Sequence, residues 1–194
     1  MAAAAGATAT ITPLGITSSG FTGVDRVYDA TTVVAVNASA ATLTGVLGGD
    51  SVAVTGGTGS VANKNVGTAK PVSVGGITLS GIDAGNYSVT DTGGASVTIT
   101  PLGITSTGVT GVDRTYDGTT AVAVNTSAAT LNGTISGDSV TLVTTGANGT
   151  MANKNTGIDK PVTVGGLALA GADAANYRLV GCQQRDRRHR RGWC

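Results

Sequence analysis

The stretch Val27-Tyr28-Asp29-Ala30-Thr31-Thr32 occurs again as Thr115-Tyr116-Asp117-Gly118-Thr119-Thr120, at an offset of 116 − 28 = 88 positions. The same offset places residues 11–17, Ile-Thr-Pro-Leu-Gly-Ile-Thr, on the identical segment 99–105. Further along, residues 62–65 recur as 152–155, where an insertion of two residues has raised the offset to 152 − 62 = 90. The chain is therefore a tandem repeat, and we expect its two copies to share one fold.

The composition favours strands over helices. Among 194 residues there are 31 Gly and no Glu, and only 12% are charged, against about 25% in an ordinary globular domain. A chain rich in Gly, Thr, Ser, Ala and Val and poor in Leu, Lys and Glu suits short strands joined by tight turns. We predict an all-β fold.

Each copy is long enough to fold on its own, because independent domains start at roughly 50 residues. We predict one unit over residues 14–101 and a second over 102–180. Each is expected to be a β-sandwich-like (immunoglobulin-like) unit of about seven short strands. The alternative is a β-grasp-like unit with one short helix near residues 83–86. Residues 6–13 match residues 94–101 at the end of the first copy, and residues 1–13 are interpreted as the last strand of a preceding repeat.

Residues 181–194 break the repeat. They hold both cysteines, five Arg, the only His and the only Trp of the chain, where the repeat requires another strand. We interpret them as an aberrant, disordered basic tail that arose from an out-of-frame reading, so that the second unit lacks its closing strand. A basic arm that binds acidic partners is the alternative.

Charge and hydropathy exclude several classes of protein. Up to Val180 seven basic residues stand against ten Asp, so the body has no basic face for nucleic acid. The cysteines are confined to the tail, which excludes a disulfide scaffold. No segment approaches the roughly 18 consecutive apolar residues of a membrane helix, and we expect no membrane insertion. The start, Met1-Ala2-Ala3-Ala4-Ala5-Gly6, has no basic region typical of a signal peptide.

Five motifs recur in the same order in both copies. They are Tyr-Asp-Gly/Ala-Thr-Thr, Gly-Asp-Ser-Val, Asn-Lys-Asn-x-Gly, Lys-Pro-Val and Asp-Ala-x-Asn-Tyr. In this order, and ending in Ile-Thr-Pro, they resemble the YDG-type repeats of very large bacterial surface proteins, including filamentous-haemagglutinin-like adhesins. The resemblance covers about residues 14–180 and departs at Ala30, where the family usually has Gly. It implies an extracellular location on the bacterial cell surface and a non-enzymatic stalk or adhesive segment.

All tyrosines of the chain lie at duplicated positions, each beside an Asp or an Asn. The motif residues are Tyr28, Asp29, Asn86, Tyr87, Tyr116, Asp117, Asn176 and Tyr177. We interpret each ring as a core anchor whose hydroxyl bonds to the backbone, with a sugar-stacking platform as the alternative. The Asp residues are interpreted as turn formers; calcium ligands that converge from separate loops are the alternative. No cofactor is expected.

The lysine of the Asn-Lys-Asn motif occurs as Lys64 and Lys154. A strand-edge lysine that discourages aggregation is the simplest interpretation. The alternative is a crosslink from Lys64 to Asn86, assisted by Asp29 or Asp83, which would lower the mass by about 17 Da through loss of ammonia.

Two functions follow from the repeat. A passive spacer that contacts neighbouring repeats of a longer parent chain is favoured, because similar units stack along a line. An adhesive module for host glycans or surface proteins is the alternative. Its candidate binding site is the loop that differs most between the copies, with Thr144, Thr145 and Asn148. Catalysis is not expected, because the two copies contain no His, Cys or Glu.

Overall fold

The computed structural model describes Gly6 and residues 8–183. Their regular structure is almost entirely strand, with two short 3-10 helices at Ala84–Asn86 and Ala174–Asn176. The all-β prediction is confirmed, as expected for a chain rich in Thr and Val and poor in strong helix formers. No helix in this part of the chain is long and apolar enough to cross a membrane.

The first copy contributes ten strands. They are β1 (Leu14–Ser19), β2 (Thr22–Gly23), β3 (Arg26–Val27), β4 (Val33–Val34), β5 (Val36–Asn37), β6 (Thr42–Thr44), β7 (Ala53–Ser60), β8 (Gly67–Ser80), β9 (Tyr87–Thr92) and β10 (Ala95–Thr100). The longest are β7 and β8, which pair as an antiparallel hairpin.

The second copy also contributes ten strands within the described residues. They are β11 (Leu102–Thr107), β12 (Thr110–Gly111), β13 (Ala121–Val122), β14 (Val124–Asn125), β15 (Thr130–Asn132), β16 (Thr141–Val143), β17 (Asn148–Met151), β18 (Val162–Gly165), β19 (Ala168–Ala170) and β20 (Tyr177–Gln183). We predicted about seven strands in each copy. The larger number arises because backbone with positive φ, as at Ala30, Gly45 and Gly49, interrupts the ladders and leaves strands of two or three residues.

Each copy has one three-stranded sheet of mixed direction. Its order is β6-β1-β9 in the first copy and β15-β11-β20 in the second. Strand β1 pairs antiparallel with β6 and parallel with β9, and β11 pairs in the same way with β15 and β20. The parallel pair departs from the antiparallel sheets of an immunoglobulin-like sandwich. The 3-10 helix Ala84–Asn86 lies where the β-grasp-like alternative expects a short helix.

The remaining strands form different sheets in the two copies. In the first copy one sheet has the order β3-β10-β8-β7-β4, and β2 pairs with β5. In the second copy three smaller sheets form: β13-β17-β18, β16-β19 and β12-β14. The difference has a local cause. A turn closed by Ala147 N–H donating to Thr144 O (2.9 Å) lies between β16 and β17, whereas β7 continues without a break.

Packing divides the described chain into two compact units. Unit 1 contains the residues up to Arg26 with Thr32–Asn63 and Thr68–Thr98; unit 2 contains Val27–Thr31, Lys64–Gly67 and the residues from Ile99 onward. We call Val27–Thr31 and Lys64–Gly67 the inserted segments of unit 2. The sequence repeat assigns them to the first copy, whereas packing assigns them to unit 2. The domain limits 14–101 and 102–180 stay predictions.

Each unit has its own small apolar core. The buried apolar side chains of unit 1 are Ile16, Phe21, Val34, Val61, Val72, Tyr87 and Val97. Those of unit 2 are Tyr28, Ile99, Ile104, Val109, Val162 and Tyr177. Tyr28, from the first inserted segment, is therefore a core residue of unit 2.

The two ends of the chain differ from the repeated part. Residues 8–13 are exposed and carry no strand, and their assignment to a preceding repeat stays a prediction. At the other end β20 extends to Gln183, with Cys182 opposite Ser106 and Gln183 opposite Thr107. Residues 181–183 of the predicted disordered tail are therefore strand. Residues 184–194 of that tail, and the predicted loss of a closing strand, lie outside the described residues.

Two loops of unit 2 are joined by a reciprocal pair of hydrogen bonds that requires a glycine. Ser139 N–H donates to Asp173 Oδ2 (2.9 Å), and Asp173 N–H donates to Ser139 O (3.1 Å). Gly171 has a φ of 113°, and a Cβ there would lie 2.3 Å from the Ser139 oxygen. Unit 1 repeats this arrangement around Gly81. A residue with a side chain cannot occupy either position without displacing the neighbouring loop.

Gly171→Ala should therefore destabilise unit 2 by about 2 kcal/mol or more, since positive φ alone costs roughly 1–3 kcal/mol in a residue with a Cβ. Gly48→Ala is the control, because a Cβ at Gly48 meets no atom within 4 Å and Ser136 stands at the equivalent position of the second copy. Urea unfolding followed by circular dichroism measures both variants. Equal losses in the two would contradict the role given to Gly171.

Candidate functional site

The carboxylate of Asp138 lies at the centre of a polar cluster in unit 2. Its side chain is only 2% exposed. The turn from Ile135 to Asp138, closed by Asp138 N–H donating to Ile135 O (3.2 Å), places it just ahead of β16. Gly137 makes this turn possible with a φ of 94°. A carboxylate buried in this way is stable only when it is paired and hydrogen-bonded.

Three side chains satisfy this carboxylate. Tyr177 donates to Oδ2 at 2.5 Å and Tyr28 donates to the same oxygen at 2.8 Å. The Lys64 ammonium forms an ion pair with Oδ1 of Asp138, and it also reaches Asp173 Oδ1 at 3.1 Å. Tyr28 and Lys64 both belong to the inserted segments. Two of the three partners of Asp138 are thus residues that the sequence repeat assigns to the first copy.

The aromatic rings and the ammonium of the cluster pack together. The rings of Tyr28 and Tyr177 meet edge to face, with centroids 5.4 Å apart and an interplanar angle of 72°. The Lys64 Nζ lies 5.9 Å from the Tyr28 centroid, within the range of a cation–π contact. Tyr28 is 2% exposed, whereas the side chain of Lys64 is 33% exposed. The ammonium therefore keeps part of its hydration while it neutralises the buried carboxylate.

Asn176 fixes the second inserted segment. It ends the 3-10 helix Ala174–Asn176 and is 2% exposed. Its Oδ1 accepts the backbone N–H of Val66 (3.0 Å), and its Nδ2 donates to Asn65 Oδ1 (3.3 Å). We call Asp138, Asp173, Asn176 and Tyr177 the acceptor site, because they receive the inserted segments. We call Tyr28, Lys64 and Asn65 the donor residues, because the inserted segments supply them. The two names do not state the direction of the hydrogen bonds.

These contacts shift the pKa values of the cluster in consistent directions. The ammonium of Lys64, followed by the hydroxyl of Tyr177, holds the pKa of Asp138 below its usual value. The hydrogen bond to Asp138 raises the pKa of Lys64. Burial, followed by the hydrogen bond to Asp138, raises the pKa of Tyr28 and raises that of Tyr177 to about 12. At neutral pH Asp138 and Lys64 are therefore both charged, and the two phenols are neutral.

Unit 1 contains the counterpart of the acceptor site. Tyr87 donates to Asp50 Oδ2 (2.6 Å) and accepts the backbone N–H of Leu47 (3.1 Å), as Tyr177 does with Asp138 and Ile135. The hydrogen bond to Asp50, followed by burial, raises the pKa of Tyr87. Asp83 Oδ2 accepts the Ser51 N–H at 2.8 Å. Asn86, the counterpart of Asn176, is exposed.

The second copy contains the counterparts of the donor residues, but the structure leaves them on the surface. Tyr116 is 55% exposed, and Lys154 and Asn155 are exposed as well. We predicted that every repeated tyrosine is a core anchor, and this prediction is wrong for Tyr116. Tyr116 lies in a loop with the same Asx turn and positive φ as the loop of Tyr28, so its exposure reflects the partner that it lacks within the described residues rather than its own loop.

The aspartates next to these tyrosines form turns, as predicted. Asp29 Oδ1 accepts the backbone N–H of Thr31 at 2.9 Å, and Asp117 Oδ1 accepts that of Thr119 at 2.8 Å. Asp117 also pairs with Arg114. The backbone hydrogen bond from Thr119 is the main cause of its lowered pKa. These are Asx turns, which hold the tyrosine loop in one conformation.

The structure corrects the interpretation of Lys64. A strand-edge role fails, because its ammonium faces Asp138 and Asp173 inside the cluster. The alternative, a crosslink from Lys64 to Asn86 assisted by Asp29 or Asp83, finds no support in the contacts of Lys64, whose ammonium bonds to Asp138 and Asp173. For calcium, no group of three or more metal-ligating side chains occurs in the part of the chain that the structure describes.

The predicted binding loop forms a tight turn. Thr144 and Thr145 lie in the turn between β16 and β17, where Thr145 is exposed. Asn148 begins β17, and its Nδ2 donates to Gly146 O at 3.2 Å. Within the residues that the structure describes, none of these three shares a hydrogen bond with the acceptor site.

The structure defines the class of the protein, a tandem all-β repeat. Among known families, the YDG domain family matches residues 5–94 and again residues 100–185. The chain therefore belongs to the YDG domain family and contains two such domains. No curated protein and no solved structure matched it. The predicted resemblance is confirmed as far as the YDG repeat is concerned.

The sequence contains a signal for the cluster that the separate motifs do not reveal. Taken motif by motif, Asp138 is a turn residue of Gly-Asp-Ser-Val, and Lys64 is an edge residue. Yet two Tyr, a Lys, two Asp and two Asn of the cluster keep their places in both copies. Charged residues are scarce in this chain, so a lysine and two carboxylates retained in register indicate an ion pair.

The two tyrosine loops provide a matched test of the cluster. Tyr28→Phe should destabilise the protein by roughly 1.5–3 kcal/mol, because it removes a hydrogen bond to a buried carboxylate. Tyr116→Phe should change stability by less than about 0.5 kcal/mol, as is usual on the surface. Guanidinium unfolding of the two variants measures the difference. A loss at Tyr116 as large as that at Tyr28 would refute the assignment.

The pKa shifts predict a stability plateau with a fall on each side. Asp138 has a lowered pKa, so its contribution is complete above the unfolded value of about 4 and is lost as pH falls below it. Tyr28, Tyr177 and Lys64 have raised pKa values, so their contributions are complete below about pH 10 and are lost as pH rises further. Melting temperatures across pH 2–12, compared with Asp138→Asn, should show shallower slopes on both sides in the variant. Unchanged slopes would count against the ion pair.

Proposed function

We propose that the chain is a structural spacer segment of a bacterial cell-surface adhesin. In this spacer, segments of one YDG copy pack within the unit that contains the next copy, and we call this arrangement the interlock. The observation that carries the proposal is the make-up of unit 2, which includes Tyr28 and Lys64 although the sequence repeat assigns both to the first copy. The surface location and the adhesin rest on the resemblance of the five motifs to repeats of large bacterial surface proteins.

An interlock of this kind suits a segment that transmits force. The chain enters unit 2 at Val27–Thr31 and again at Lys64–Gly67, before its last entry at Ile99. Extraction of the inserted segments would remove the Tyr28 ring from a core and separate Lys64 from Asp138. The second step is costly, because a buried carboxylate would be left without its counter-charge. Unit 2 therefore resists loss of the inserted segments by packing and by charge together.

The same cluster supports a role without chemistry. Asp138 is buried, and its oxygens accept hydrogen bonds from two phenols and an ammonium. A general acid or base at neutral pH needs a pKa near 7. The shifts at Asp138 and Lys64 move their pKa values away from neutrality, in opposite directions. The cluster is thus built to remain ionised and closed, as a structural tie requires.

Single-molecule stretching of the whole chain tests the interlock. Lys64→Ala should lower the force at which unit 2 unfolds, because Asp138 then lacks its counter-charge. Lys154→Ala is the matched control, since it removes the same side chain from the equivalent motif, where it is exposed. We expect no change in that control. An unfolding force that is the same in Lys64→Ala and in the unmodified chain would refute the interlocked spacer.

A binding assay separates the spacer from an adhesive module. We expect no saturable binding of the folded chain to host cells or to a glycan panel, with or without calcium. Saturable binding that disappears when residues 144–149 are exchanged for residues 56–59 would instead make the chain an adhesive module, with its site at the Thr144 turn.

A further inference from the structure

Unit 1 holds an acceptor site that is folded like the one in unit 2. In each unit a tyrosine hydroxyl bonds to the Asp of a Gly-Asp turn and receives a backbone N–H, with both distances within 0.1 Å of the counterpart: 2.6 and 3.1 Å at Tyr87, 2.5 and 3.1 Å at Tyr177. The second carboxylate is also set alike, because Asp83 Oδ2 accepts the Ser51 N–H (2.8 Å) as Asp173 Oδ2 accepts that of Ser139 (2.9 Å). The site is preformed.

Within the described residues, no donor residues occupy the acceptor site of unit 1. In unit 2 the Oδ1 atoms of Asp138 and Asp173 both receive the Lys64 ammonium. Their counterparts, the Oδ1 atoms of Asp50 and Asp83, accept no hydrogen bond from any residue that the structure describes. Asn86 is likewise exposed and makes no side-chain hydrogen bond within residues 8–183.

The second copy carries the matching donor residues in loops that are already folded. Gly118 repeats the positive φ of Ala30 (80° and 62°), so the loops of Tyr116 and Tyr28 turn alike. Lys160 donates to the backbone oxygen and to Oδ1 of Asn153, at 2.7 and 2.9 Å, and so braces the loop that presents Lys154. Because these loops are held in place before any partner arrives, little conformational entropy would be lost on binding.

We propose that Tyr116, Lys154 and Asn155 of one molecule dock into the acceptor site of a second copy of this chain, formed by Asp50, Asp83, Asn86 and Tyr87. The inference rests on the interlocked spacer proposed above. It names the partner for the acceptor site of unit 1 and for the exposed donor residues of the second copy. Unit 2 supplies the template, since the same residue types already meet there with the complementary charges of Lys64 and Asp138. A contact between two different surfaces is heterologous, so it joins copies head to tail, into an open chain or, where the rotation closes, a ring.

The test uses two full-length variants that each keep one half of the contact. The donor-deficient variant carries Tyr116→Ser and Lys154→Ala, both at exposed positions. The acceptor-deficient variant carries Asp50→Asn, which keeps an oxygen for Tyr87, and Asn86→Lys, which places a positive charge against the incoming lysine. Thermal melts establish that both variants fold. Sedimentation velocity is then recorded for each variant alone and for their equimolar mixture, up to about 1 mM, the effective concentration typical of a tethered contact.

We expect each variant to remain monomeric and the mixture to form a 1:1 complex, while the unmodified chain forms a ladder of larger species. Removal of the lysine alone by Lys154→Ala should weaken the association of the unmodified chain roughly 30-fold or more. Arg178→Ala, which removes a positive charge from an exposed position of β20, should leave it unchanged.

A mixture that stays monomeric up to about 1 mM overturns the docking of a second copy. If Lys64→Ala still lowers the unfolding force of unit 2 in that case, the spacer proposal stands and only the intermolecular contact fails. If the complex forms but Lys64→Ala leaves the unfolding force unchanged, the contact stands and the spacer proposal fails.

Discussion

The burial of the Asp138 carboxylate is the constraint on which unit 2 depends. A carboxylate removed from water must recover its lost hydration from donors and a counter-charge. Here the donors are Tyr28, Tyr177 and Lys64, which lie in three separate stretches of the chain. The fold of unit 2 therefore includes residues far upstream of its own copy. Removal of Lys64 would leave the buried carboxylate without its counter-charge. Removal of either tyrosine would take away a hydrogen bond and a packed ring.

The six-residue tyrosine motif, in which four positions are identical between the copies, acts differently in its two occurrences. At Asp29 and Asp117 the local structure is the same, with an Asx turn and a positive φ at the next residue. The tyrosines differ, because Tyr28 is buried against Tyr177 and Tyr116 lies on the surface. The motif thus fixes the shape of a loop, and the environment of the ring decides whether it contributes to a core. A surface tyrosine in one copy is a core tyrosine in the other.

Much of the fold could be predicted from the sequence, since local chemistry determines it. The scarcity of helix formers predicted the all-β class, and the Asp residues of the repeated motifs predicted the turns at Asp29 and Asp138. The parallel pairing of β1 with β9 could not be predicted, because alternation of apolar residues specifies a face and not a partner strand. The sequence also could not predict in which unit Tyr28 and Lys64 pack. When two copies carry the same motif, periodicity cannot tell which copy a side chain packs in.

The separation of the inserted segments from their partners has a consequence for biosynthesis. Tyr28 and Asp138 are 110 residues apart in the chain. At a translation rate of about 5–20 residues per second, Tyr28 is incorporated roughly 5–20 s before Asp138. During that interval the tyrosine and the lysine of the earlier copy wait without their binding groups. Because synthesis runs from the amino end, the residues that an earlier copy contributes to unit 2 exist before the carboxylate that they neutralise.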